Sequence, residues 1–123
     1  MSADWRRLSR EAGLRADGDT LTIACGRERS QTVRIGPVTE DAVRAWSVVV
    51  TRGSAPPDAA LQAWTMNRYR ELVAFKVAEY GRVIGECWIP TAGLTASEWK
   101  LYVETLAHAC DRLEYLWTGR DEE

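Results

Sequence analysis

An α+β fold, with elements in the order α-β-β-β-α-β-β-α and helices packed on an antiparallel sheet, is the class this sequence predicts. Three observations lead there. Apolar residues alternate with a period of two in several short stretches bounded by turn residues, the pattern of half-buried strands. A period near 3.6 governs the C-terminal stretch, the pattern of an amphipathic helix. The remaining helical segments, one before the first strands and one between the third and fourth, suit helices on one face of an antiparallel sheet.

Each element has its own local signal. Ser2 is placed to cap a first helix, with Asp4 in its first turn and Trp5, Leu8 and Ala12 on one face. Gly13 followed by Leu14 predicts a left-handed stop with an apolar residue packed behind it. After the Asp17-Gly18 turn, Leu21, Ile23 and Cys25 alternate with Thr20, Thr22 and Ala24 in a first strand, which a polar turn at 26–29 joins to a second at 32–35. Residues 43–51 make a third, more buried strand with Trp46, Val48 and Val50 on one face. The run Arg52-Gly53-Ser54-Ala55-Pro56-Pro57 is expected to be a loop, because neither side of it is long enough to close a good core alone. Pro57 opens a second helix with a narrow apolar stripe of Ala60, Leu61 and Trp64.

Residues 72–79 and 83–89 are expected to pair as a hairpin. A three-residue loop sets Phe75 opposite Cys87 and Lys76 opposite Glu86, so that apolar meets apolar on one face and opposite charges meet on the other. Thr95-Ala96-Ser97-Glu98 fits a capping box, and Trp99, Tyr102, Val103, Leu106, Cys110, Leu113 and Trp117 then follow at helical spacing until Gly119. Residues 119–123 form a charged tail on what is expected to be one domain, 1–123.

Composition narrows the function classes. Residues 1–60 hold nine basic and eight acidic side chains and residues 61–123 hold seven and ten, so neither half carries the basic footprint of a nucleic-acid binder. Fourteen of the sixteen basic residues are Arg, a bias first ascribed to a GC-rich bacterial genome and only second to bidentate carboxylate contacts. Cys25, Cys87 and Cys110 are odd in number and lack CxxC spacing, which argues against a disulfide framework and a zinc site. No signal-like or membrane-spanning apolar run is present, so a reducing cytoplasm is the expected compartment, with no membrane partner.

Ordinary catalytic signatures are missing. His108 stands two residues from Cys110 on the last helix, and such positions point to different sides. Asp111 and Glu114, at i,i+3, suit a solvated helix face with a salt bridge to a strand better than an acid–base pair. Asp17, Asp19 and Glu28 match fragments of a calcium loop, but Leu21 and Ile23 occupy ligand positions and Thr22 stands where glycine is needed. Neither a phosphate loop nor a nucleophile elbow occurs. The expectation is a non-enzyme without cofactor or metal, with a small enzyme built on His108 and the Asp111/Glu114 face a distant third.

The aromatic residues are the remaining functional candidates, six Trp against one Phe. Trp99 and Trp117 belong to the core stripe of the last helix, and Trp46 to a buried strand. Trp5 is either core or partner-facing. Trp88 shares a mixed face with Ala74, Lys76 and Glu86, and Trp64 rides a helix that does not need so large a side chain. For both, an interface and the core are equally open readings.

Three strings stand out: Arg29-Ser30-Gln31-Thr32-Val33-Arg34-Ile35, Trp64-Thr65-Met66-Asn67-Arg68, and Leu106-Ala107-His108-Ala109-Cys110-Asp111-Arg112-Leu113-Glu114, the last followed by Gly119-Arg120-Asp121. Together with the element order they resemble the YbjN-like and type III secretion chaperone-like (CesT-like) superfamily, which has a Gly-Asp-like end where Gly119-Arg120-Asp121 stands. The likeness covers about residues 3–121 and is weakest in the first helix and over 36–42. It implies a bacterial, non-enzymatic homodimer that binds an extended segment of a client or effector protein, encoded nearby, in secretion or in a defence system. Carried onto this chain, it sets Trp5, Leu8 and Val33 near client patches, with Trp88 as a further partner contact, and Leu61, Trp64 and Tyr69 near the dimer seam. The alternative is a regulatory or assembly subunit that docks by a folded surface into a defence or signalling complex.

Overall fold

The computed structural model describes residues 4–26, 28–51, 54–68 and 72–119. Its elements are α1 (Trp5–Glu11), β1 (Arg15–Asp17), β2 (Thr20–Gly26), β3 (Arg29–Thr39), β4 (Ala42–Val50), α2 (Ala59–Asn67), β5 (Ala74–Val77), β6 (Val83–Pro90) and α3 (Ala96–Thr118), with one 3-10 turn between β5 and β6. The strands form one antiparallel sheet in the order β1-β2-β3-β4-β6-β5. The expected order is present with one strand added. β1 escapes a periodicity argument because Arg15, Ala16 and Asp17 are all exposed and carry no alternation.

α3 organises the core. Thr95 and Glu98 form the capping box, each side chain accepting the other's backbone N–H, and Gly119 ends the helix in the left-handed region at φ 73°. Trp99, Val103, Leu106, Cys110 and Leu113 are buried along one stripe against the sheet. Gly85 of β6 makes the close approach possible: a Cβ there would stand 2.5 Å from the Cys110 Sγ. The sheet presents Leu21, Ile23, Val33, Ile35, Ala45, Val49, Phe75, Cys87 and Ile89 to this core. Burial, and second the nearby charge of Glu86, push the Cys87 thiol up to about 12, so it stays protonated and packs as a small apolar group.

α1 docks on the N-terminal half of α3. Asp4, not Ser2, accepts the capping bond from the Arg6 N–H, and Ser2 lies outside the described residues. The fully buried Trp99 donates its indole N–H to the Ser9 hydroxyl at 2.8 Å, and that hydroxyl donates to the Trp5 carbonyl at 2.7 Å. The two helices are thus pinned by one satisfied polar chain.

Three expectations are corrected by the geometry. β3 runs through Gly36 and Pro37 to Thr39 instead of ending at Ile35. Beyond Ile35, whose N–H still donates to the Asp19 carbonyl at 2.8 Å, it pairs only with β4, so this stretch is locally an edge, where a missing proline N–H is tolerated. The β5–β6 hairpin is shifted by two residues, with Phe75 opposite Gly85 and Lys76 opposite Ile84. Tyr80 and Gly81, at φ 62° and 74°, make a 3-10 turn that the Ala78 N–H closes onto the Arg82 carbonyl, lengthening the loop. A shift of two preserves every facing, so the apolar and charged sides stay as expected. In β4, Ala45, Ser47 and Val49 face the core, whereas Trp46 is half-buried on the opposite side of the sheet. In α2, Ala59 and Ala63 are buried, and the stripe of Ala60, Leu61 and Trp64 faces outward.

Candidate partner-binding surfaces

Exposed large apolar side chains occur on α3, at the β5–β6 turn, and on α2 and strand β6. Leu61 and Trp64 are 62% and 59% exposed, and Trp88 on β6 is 60% exposed. Small residues at Ala59 and Ala63 let α2 lie close to the body, which leaves its large side chains with no internal place. Arg68 stacks over Trp64 at 5.2 Å from the ring centroid, covering part of the indole without enclosing it. α2 is further tied by Gln62, whose amide oxygen accepts from the Trp117 indole N–H at 2.9 Å.

Asn67, at the end of α2, holds β5 in place. Its Nδ2 donates to the Phe75 carbonyl at 2.8 Å, and its Oδ1 accepts from the Phe75 N–H at 2.7 Å. The side-chain amide therefore occupies the outer hydrogen-bonding positions of an edge strand, as a neighbouring strand would. A pocket of about 190 Å³ opens beside it, between Asn67, Leu72, Ala74 and Trp88. Trp88, Leu72 and the end of α2 at Asn67 thus border one pocket.

The α1 side offers less apolar surface. Trp5 is half-buried and tilted against Trp99 at 6.0 Å, with Arg6 over its other side at 4.4 Å. A groove of about 380 Å³ runs between the end of α1, β1 and β2 and the side of α3, past Leu14, Ile23 and Lys100. Leu8 and Val33, expected beside Trp5 among client contacts, are 2% and 0% exposed. Both belong to the hydrophobic core and offer no surface. Tyr69, expected at a dimer seam, lies outside the described residues.

The acidic pair on α3 is buried, not solvated. Asp111 is held by Arg29 through the guanidinium Nε at 3.2 Å and Nη2 at 3.1 Å, and Arg29 also lies over the Tyr115 ring. The bridge to a strand is present, but the solvated face expected for the pair is not: Asp111 and Glu114 are 3% and 0% exposed, on the turn of α3 that also buries Cys110 and Leu113. Gln31 adds a second buried polar contact, donating to the Ser47 hydroxyl and the Val48 carbonyl at 2.9 and 2.7 Å. Exposed His108 and buried Cys110 face opposite ways and form no nucleophile–base pair. Among the described residues no group of three or more His, Cys, Asp or Glu is placed to hold a metal ion.

No family profile and no curated protein matches the sequence. Solved structures do match. The Yersinia pestis type III secretion chaperone SycH, crystallised with a fragment of YscM2, superposes with a TM-score of 0.61 at 8% identity, covering 89% of this chain and 95% of that one. A chain of the ExsC–ExsE complex gives 0.66 at 18% identity over 93% and 92%. A chain of the HopA1–SchA chaperone–effector complex gives 0.55 at 13% identity over 93% and 89%. Three helices packed on a six-stranded antiparallel sheet, in this order and over nine-tenths of the chain, give this protein the type III secretion chaperone fold.

Proposed function

We propose that this protein is a non-enzymatic chaperone-like adaptor that binds a segment of a partner protein and works as a homodimer in the bacterial cytoplasm. The observation that carries the reading is the outward apolar face of α2, where Leu61 and Trp64 are exposed while the helix buries only the small side chains of Ala59 and Ala63. An isolated protomer gains nothing from that arrangement, whereas a second copy covering it removes two large apolar side chains from water. The fold supports the partner half of the proposal, since SycH and the HopA1–SchA pair were crystallised as chaperone complexes. No helix among the described residues is long and apolar enough to cross a membrane, which is compatible with the compartment proposed.

On this reading Leu61 and Trp64 form the dimer seam, and Trp5 and Trp88 contact the client. The experiment is co-purification of the tagged protein with the products of neighbouring genes, comparing wild type with Trp88→Ala. Recovery of one partner by wild type, with recovery reduced by the exposed-site variant, is the expected result. A protein that retains no neighbouring product, or retains it equally after Trp88→Ala and Trp5→Ala, contradicts the assignment.

A further inference from the structure

The face of the sheet turned away from α3 carries a cluster of cations around one indole. Trp46 on β4 has the guanidinium carbons of Arg44, Arg34 and Arg82 at 5.3, 5.5 and 5.9 Å from its ring centroid. The register explains the convergence: Arg34 on β3 and Glu86 on β6 stand directly across from Trp46 on either side, and Arg44 is two residues along the same strand. Lys76 joins from β5. Beside Trp46 lies an open pocket of about 420 Å³, floored by Ile84 and rimmed by Arg44, Lys76, Arg82 and Glu79.

Charge in this cluster is not balanced internally. Glu86 is shared by Arg44 and by Lys76 at 3.2 Å, so one carboxylate serves two cations. Arg34 and Arg82 have no carboxylate partner among the described residues, and the buried Arg82 Nε has no hydrogen-bond acceptor. A buried donor without an acceptor is costly, and Arg82 itself lines the pocket, where a ligand can meet its guanidinium. Four cations against Glu79 and Glu86 make a locally positive patch on a chain whose net charge is −2.

We infer that this outer face binds an acidic segment of the partner protein in extended form, running across Trp46 from Arg34 into the pocket, with carboxylates on Arg34 and Arg82 and an apolar side chain against Trp46 and Ile84. This deepens the adaptor reading and rests on it. Guanidinium groups favour planar carboxylates, and side chains two residues apart on an extended segment stand about 7 Å apart on one face, a spacing that lets one strand meet several of these cations. The sequence hinted at this only through its excess of Arg over Lys, which codon bias explains as well.

The test uses the full chain and a fluorescein-labelled peptide alternating Glu with Ser and Leu. Controls are the same peptide with Gln for Glu, the same with Lys for Glu, inorganic phosphate and a short oligo-dT. Saturable binding of the Glu peptide, weakened about tenfold or more by Arg34→Gln with Arg82→Gln and lost near 1 M salt, is the expected result. Arg34 is exposed, so Arg34→Gln alone keeps the test available if the double variant does not fold. Equal binding of the Glu and Gln peptides, indifference to both Arg substitutions, or tighter binding of oligo-dT or phosphate than of the Glu peptide overturns the proposal. Any of those results leaves the adaptor reading standing if co-purification still recovers a partner through Trp88.

Discussion

At Gly85 the β6 backbone and α3 leave no room for a side chain, with the Cys110 Sγ, Phe75 and Leu106 all within 3.4 Å of where a Cβ would be. Gly85→Ala is therefore expected to cost about 1–3 kcal/mol of unfolding free energy, by overpacking. Combining it with Cys110→Ala removes the nearest atom and should recover part of the loss, a coupling that urea denaturation of the two singles and the double will measure. Arg29 is the second sensitive position. Its removal as Arg29→Met leaves the Asp111 carboxylate buried without its cation, and a loss of about 2 kcal/mol is expected, tempered because the guanidinium is partly in solvent. The third is Glu86. Burial by itself would raise its carboxyl, but the bonds from Arg44 and Lys76 outweigh this and hold it below its ordinary 4.5. A carboxyl depressed on folding stabilises above its unfolded pKa, and that stabilisation disappears as pH falls through the folded value. Glu86→Gln should thus be less stable than wild type near neutrality, and the two denaturation midpoints should converge as pH falls through the folded value of the Glu86 carboxyl.

Elements differ in how plainly the sequence announced them. α3 was legible throughout, because a long apolar stripe at helical spacing, a capping box and a terminal glycine all agree. β5 and β6 were legible as a pair but not in register, since Tyr80 adopts a left-handed conformation that no residue pattern demands of a tyrosine. α2 was legible as a helix, but not which face it buries: interface and core were equally open for Trp64, and the buried side proves to be alanine. Trp46 misled for a related reason. Continuous apolar character over Val48, Val49 and Val50 hides which alternate set faces the helices. Least visible of all was the role of Asn67 as a plug on the β5 edge, which depends on a contact eight residues away. Asn67→Ala is expected to lower stability by about 1–2 kcal/mol and to expose the edge to self-pairing. Denaturation midpoints and the growth of scattering on incubation check the two halves of that statement separately.

For the whole molecule, the sheet has two working sides. One is closed by α1 and α3 and holds the core, and the other is open and lined by Trp46, Trp88 and the cations between them. α2 lies at the edge where these sides meet, with Leu61 and Trp64 outward. If that edge is the seam between two copies, Leu61→Glu with Trp64→Glu should convert a dimer mass to a monomer mass in light scattering while leaving the circular dichroism unchanged. Both side chains are exposed in the protomer, so the substitution should not disturb its fold.

The most direct measurement is limited proteolysis, read by mass spectrometry, of the complex recovered with a neighbouring gene product. An adaptor for an unfolded segment predicts that one short linear stretch of the partner survives while the rest is digested. Protection of a compact folded domain, with no protected linear stretch, would contradict the account and favour a subunit that docks by a folded surface.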